Sequence, residues 1–240
     1  MGWETGLYAF VVVLSAASLQ GITGAGMMIL SVPPLVVAMP ATVVVPGIVL
    51  LYLPLGTAQI IQLRRDVDRR RLATLVLSSA PMVPLGALIL SEVDTVTLQR
   101  AIGLLMIALA LLLQVKPGAP FARELAPCVG TGLIAGFLAA STSVSGPPLV
   151  LFGLKQRWDP ARFRATLIGY FLIISAFSLP FYWEMELLTP RVWRFVLCGL
   201  PGIALGYFAG AWLRARVSVA TFRRLATGVV VAGGLAATLL

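Results

Sequence analysis

From Thr5 to Leu63 the chain carries no Lys, Arg, Asp or Glu. The same holds for Leu72–Ser91, Ala101–Val115, Leu125–Leu154, Ala165–Trp183, Phe195–Leu213 and Leu225–Leu240. A helix that crosses the hydrocarbon core needs about 20 apolar residues, and these runs supply them repeatedly. In lipid every backbone polar group must be satisfied internally, which leaves helices or closed barrels. The alternation at period two that a barrel requires is missing from these runs. The chain therefore reads as an all-α polytopic membrane protein. Composition agrees: only 11% of residues are charged, against about 25% in a soluble domain, and the mean hydropathy is +0.98.

The opening residues Met1-Gly2-Trp3-Glu4 have no basic n-region, so the first apolar segment is expected to belong to the mature protein rather than to a signal peptide. The net charge of +9 fits Lys and Arg collecting in cytoplasmic loops. No nucleic-acid partner is expected, because no basic segment is large enough to present a groove. The chain has no histidine, and its two cysteines, Cys128 and Cys198, are far apart. This excludes His-based catalysis and His-ligated metals. No cofactor is expected, and the cysteines read as small apolar residues packed between helices.

Charge fixes the sidedness. With the five arginines of 64–71 in the cytoplasm, Leu72–Ser91 crosses outward, Glu92–Arg100 is external and 98–115 crosses back. If 125–154 then dips in and returns to the same face, Lys and Arg divide fifteen inside and three outside. If it crosses fully, they divide nine and nine. The first arrangement obeys the positive-inside bias. So 125–154 is expected to be a re-entrant hairpin of two half-helices, with Ser141–Pro148 at its non-helical tip and both chain termini external.

The first half carries a similar feature. Ser31-Val32-Pro33-Pro34-Leu35 matches Ser145-Gly146-Pro147-Pro148-Leu149 at an offset of 114. Pro81, Leu85 and Gly86 match Pro201, Leu205 and Gly206 at 120, and Leu98-Gln99-Arg100 matches Phe222-Arg223-Arg224 at 124. The ordered matches predict two repeats, 1–118 and 119–240, in one membrane domain. Each is a re-entrant helical hairpin (6–39 and 123–154) plus three transmembrane helices (41–63, 72–91, 98–115; 164–183, 191–213, 220–240). An odd number of crossings makes them inverted repeats, an architecture of secondary transporters. The alternative count treats each hairpin as a broken first helix, giving eight spans and parallel repeats.

Two hairpin tips entering from opposite faces meet near the midplane. The candidate substrate-binding residues are Gln20, Thr23, Gly24, Gly26 and Ser31 in the first half, and Ser141, Thr142, Ser143, Ser145 and Gly146 in the second. Pro33, Pro34, Pro147 and Pro148 are the expected helix breaks. Hydroxyls, an amide and helix N-termini suit a small oxyanion, since they supply donors and positive potential without a buried cation. Gln59, Gln62 and Tyr170 are further candidates. The alternative role for any one serine is helix packing, as expected for Gly202, Gly206 and Gly210 and for Gly132 and Gly136.

At these residues the chain resembles the TauE/SafE family of membrane anion permeases, the sulfite exporters. The resemblance rests on Gly21-Ile22-Thr23-Gly24-Ala25-Gly26 with Pro33-Pro34, and on Ser145-Gly146-Pro147-Pro148. The chain departs from the family pattern in lacking a consecutive Gly triplet, and has Ser141, Thr142 and Ser143 where the second half would carry glycines. The resemblance implies a bacterial-type inner-membrane protein, not an enzyme, that exports a small inorganic or organosulfonate anion such as sulfite, with membrane lipid as its surroundings. A channel, or an importer of another oxyanion such as thiosulfate, is the alternative. The expected mechanism is alternating access at the midplane site. No Asp or Glu lies within a predicted span to relay protons, whereas anion exit down an inside-negative potential gains about 2.3 kcal/mol per charge per 100 mV.

Overall fold

The computed structural model describes residues 2–23, 26–112 and 118–213. The predicted span at 220–240, the Phe222–Arg224 match and the basic residues Lys116, Arg214 and Arg216 lie outside them. Ten α-helices follow in chain order: α1 (Trp3–Thr23), α2 (Met27–Ala38), α3 (Ala41–Leu63), α4 (Arg69–Ser79), α5 (Val83–Glu92), α6 (Thr95–Leu112), α7 (Leu125–Thr142), α8 (Gly146–Lys155), α9 (Pro160–Glu184) and α10 (Pro190–Leu213). A 3-10 turn, Ala80–Met82, joins α4 to α5 into one continuous span between Pro81 and Pro84. Five described spans are long and apolar enough to cross a membrane: α3, α4–α5, α7, α9 and most of α10.

Several helices start where a carboxylate at a loop end can accept an otherwise unpaired backbone N–H. Asp68 accepts from Arg71 N at 3.1 Å, Asp94 from Thr97 N at 2.9 Å and Asp159 from Arg162 N at 3.0 Å. Hydrogen bonding to the Thr97 N–H and hydroxyl lowers the pKa of Asp94 below its ordinary value.

Loop contacts sort the helix ends into two faces. On one, Arg71 forms a two-pronged pair with Glu124, Trp158 Nε1 donates to Glu124 at 2.8 Å, and Phe121 N donates to Gln156 Oε1 at 3.0 Å. Both ends of the α7–α8 segment therefore meet at a single face. On the other, Gln99 Nε2 donates to the carbonyls of Val36 and Met39, and Ser91 lies against Met185. Chain connectivity gives Arg100, Arg191 and Arg194 to this second face and the other described basic residues to the first. The hairpin arms are unequal, contrary to the two half-helices expected. The 18 residues of α7 span about 27 Å at 1.5 Å each, while the helical part of the return, α8, has 10 residues and the non-helical residues on either side of it complete the return.

The halves exchange partners. α1 packs along α10, and α7 packs along α4 and α5. The glycines make both contacts possible. A Cβ on Gly206 would lie 2.5 Å from the Leu14 carbonyl oxygen and 2.8 Å from Ala17 Cβ. A Cβ on Gly86 would lie 2.5 Å from the Phe137 carbonyl oxygen and 2.9 Å from Ala140 Cβ. Gly86 and Gly206 are the residues paired by the 120-residue offset, and each meets the same pattern of atoms on the other half's first helix. Gly202 and Gly210 continue the α10 contact at Phe10 and Ser18, as Gly132 and Gly136 do for α7 at Ser78 and Ser79. In both pairs residue numbers rise together, so the paired helices run in the same direction.

Three further sequence expectations are corrected. The non-helical tip expected at Ser141–Pro148 is confined to 143–145, because α7 continues through Thr142 and α8 already begins at Gly146. Pro33 and Pro34 do not break a helix; they lie inside α2, which begins six residues earlier, after Gly26. Gly26 is the N-cap of α2, and once α2 has started, interrupting its ladder in an apolar setting costs more than threading two prolines through it. Tyr8 Oη donates to the Pro34 carbonyl at 2.8 Å, tying α2 back onto α1. The double prolines of the two halves are thus not in equivalent places. Pro147 and Pro148 stand in the first turn of α8, where a missing N–H has little consequence. Of the cysteines, Cys128 is buried, but Cys198 is exposed on α10 rather than packed between helices.

Candidate functional site

The two hairpin turns touch. A Cβ on Gly146 would come 3.0 Å from the side chain of Ile29. Around this point lie two adjoining cavities that share Met28 and Phe171. One is lined by Gln20, Gly26, Ile29, Tyr52 and Gly146 as well. The other reaches Val49, Ala139, Ser145, Ile174, Ser175 and Ser178. Each is narrow, with open room for about one water molecule. α2 and α8 both begin here, so two helix N-termini, with their partial positive charge, face the same space.

On the first hairpin, Gln20 is buried and organises the turn. Its Oε1 accepts the N–H of Met27, the first residue of α2, at 3.1 Å. Its Nε2 donates to Gln59 Oε1 at 3.0 Å, and Gln59 Nε2 donates to the Gln20 carbonyl at 3.2 Å. Gly26 forms the N-cap of α2. Ser31 turns its hydroxyl back to the Met27 carbonyl at 2.6 Å. The Thr23 side chain and Gly24 lie outside the described residues.

On the second hairpin, Ser141 and Thr142 bond back to the carbonyls of Phe137 and Leu138, each at 2.8 Å. Thr142 Oγ1 also accepts the N–H of Val144 at 3.1 Å. Ser143 ends α7 in the left-handed region, φ 57°, a conformation that costs a non-glycine residue free energy. Its N–H donates to the Ala139 carbonyl at 3.1 Å and its hydroxyl to the Val45 carbonyl of α3 at 3.2 Å. Ser145 differs from the rest: it is buried and its Oγ has no hydrogen-bond partner. A hydroxyl lining the adjoining cavity shares that state. Tyr52, fully buried on α3 with its ring edge-on to Phe171, has an unpartnered Oη. A buried polar atom without a partner is costly and calls for an explanation. Among the described residues no charged side chain lines either cavity.

Residues 9–237, nearly the whole length, match the family described as Sulfite exporter TauE/SafE. The chain belongs to this family. Its members are membrane transporters, not enzymes. A curated relative, the probable sulfite/organosulfonate exporter TauE of Cupriavidus necator, is 28% identical over 183 residues, covering 73% of this chain and 70% of the relative. No solved structure matches.

Within this family member, Gln20, Gly26, Ser145 and Gly146 are brought together at the cavities, while Ser31, Ser141, Thr142 and Ser143 spend their hydroxyls on backbone carbonyls. Tyr52 is a cavity-lining residue that sequence reasoning missed. Its signal was available: Tyr52 and Gln59 are seven residues apart on α3, two turns along one helical face, in a span with no charge. Tyr170 bonds to Ser79 at 2.8 Å and Gln62 to Tyr207 at 2.7 Å, and neither lines either of these two cavities.

Proposed function

We propose that the protein exports sulfite or a related organosulfonate anion across a bacterial inner membrane, by alternating access at the cavities between its hairpin tips. One observation carries this reading: two helix N-termini converge on two adjoining cavities, one lined by Tyr52 and the other by Ser145, and neither hydroxyl has a protein partner. An anion there accepts from both hydroxyls and lies in the positive field of α2 and α8. The name of the Cupriavidus relative supplies the substrate class.

In this reading, residues 1–118 and 119–240 are inverted repeats. The hairpins α1–α2 and α7–α8 are re-entrant from opposite sides, the Arg71–Glu124 face is cytoplasmic, and the N-terminus is external. The matching contacts of Gly86 and Gly206 and the division of basic residues between the faces support this arrangement. A polyatomic anion needs more room than either cavity offers alone, so Met28 and Phe171 move to join them. Methionine is well suited to such repacking. Export needs no coupling ion, because the membrane potential already favours anion exit.

The test is efflux of labelled sulfite from liposomes holding the purified protein, under an imposed potential. Saturable efflux that falls sharply in Ser145→Ala supports the reading. Efflux of neither sulfite nor any organosulfonate would refute it.

A further inference from the structure

We propose that this site selects singly charged oxyanions over doubly charged ones, with Tyr52 Oη and Ser145 Oγ as the groups that contact them. The inference rests on the export reading above. The described lining offers neutral donors and helix termini but no Lys or Arg. The cost of taking an ion out of water grows with the square of its charge, whereas its attraction to fixed dipoles and hydroxyls grows only in proportion. A dianion thus meets about four times the desolvation cost of a monoanion for about twice the stabilisation. A buried cation would close that gap, and the described lining contains none. Gln20 and Gln59 cannot make up the difference, since their amides are neutral and offer a dianion only dipoles. The two free hydroxyls are nine-tenths buried and more, so their bonds to an anion form in a low-dielectric setting, where charge-assisted hydrogen bonds are strong.

Methanesulfonate and sulfate provide the test, because they share a tetrahedral core and nearly the same size but differ in charge. Each is added as a competitor of labelled sulfite efflux from liposomes holding the full chain. Methanesulfonate is expected to compete at least tenfold more strongly than sulfate. Tyr52→Phe is expected to weaken methanesulfonate competition by about tenfold with its unfolding midpoint unchanged, because the lost hydroxyl has no protein partner. Equal competition by sulfate, or full methanesulfonate competition in Tyr52→Phe, would overturn this inference and leave export standing. Absence of sulfite efflux in the parent protein would instead overturn the export reading, and this inference with it.

Discussion

Gln20 and Gln59 hold each other from both ends: Gln20 Nε2 donates to Gln59 Oε1 at 3.0 Å, and Gln59 Nε2 returns to the Gln20 carbonyl at 3.2 Å. The pair locks the end of α1 to α3, and the remaining Gln20 oxygen fixes the first N–H of α2. Gln59→Leu removes both of these buried bonds. The expected loss of stability is about 1–2 kcal/mol, since hydrogen bonds inside membrane proteins fall at the modest end of the range. Thermal unfolding in detergent measures it. An unchanged midpoint would show that the turn is held by packing alone.

The equivalent glycines predict equivalent damage. A Cβ at Gly86 or Gly206 would stand 2.5 Å from a backbone oxygen of the neighbouring helix, which cannot move aside without separating the helices. Gly86→Ala and Gly206→Ala should each cost about 1–3 kcal/mol. Gly130 on α7 has nothing within 4 Å of its Cβ direction, so Gly130→Ala should be neutral or stabilise by about 0.5–1 kcal/mol. Comparing the three unfolding midpoints tests the packing directly.

The hydroxyls of the second hairpin should separate by function. Ser141→Ala removes only a back-bond to Phe137, and substitutions of this kind on a helix are usually mild. Sulfite flux is expected to stay within about twofold of the parent. Ser145→Ala should reduce flux about tenfold or more while leaving stability intact, because its hydroxyl bonds to no protein atom. A reversed order of the two effects in the liposome assay would move the site away from Ser145.

Arg71, Glu124 and Trp158 form a knot on one face, with the guanidinium 4.4 Å from the Trp158 ring centroid and its Nε 2.9 Å from the Glu124 carboxylate. Both members of the ion pair are about a third exposed, so solvent screens it and its contribution is about 1 kcal/mol. Glu124→Gln should lower the unfolding midpoint slightly, and less so at high salt. The knot also carries a statement about sidedness. In a background with both Cys128 and Cys198 replaced by Ser, single cysteines at Arg123 and Arg157 should react with an impermeant thiol reagent from the same side of the membrane, and one at Glu186 from the opposite side. Labelling of Arg123 and Arg157 positions from opposite sides would rule out a re-entrant α7–α8.

The sequence by itself determined the membrane class, the approximate extent of α3, α4–α5, α9 and α10 and the sharing of one face by 118–124 and 155–164. Those features follow from local quantities: the length of uncharged runs, the capping carboxylates and the distribution of arginines. The 120-residue offset was also legible, because close helix contact demands glycine at the same point in each half. Only the tertiary structure decided which hydroxyls are free. Ser141, Thr142 and Ser145 are chemically alike in the sequence, but a helical hydroxyl can always turn to its own carbonyl four residues back, and Ser145, at the start of α8, has no such partner. The place of the first break was likewise undecided in the sequence, since both the glycines of 24–26 and Pro33-Pro34 could have supplied it. Tyr52 became a cavity-lining residue only because α3 packs its face against the hairpin turns, a relation between distant segments that no local pattern encodes.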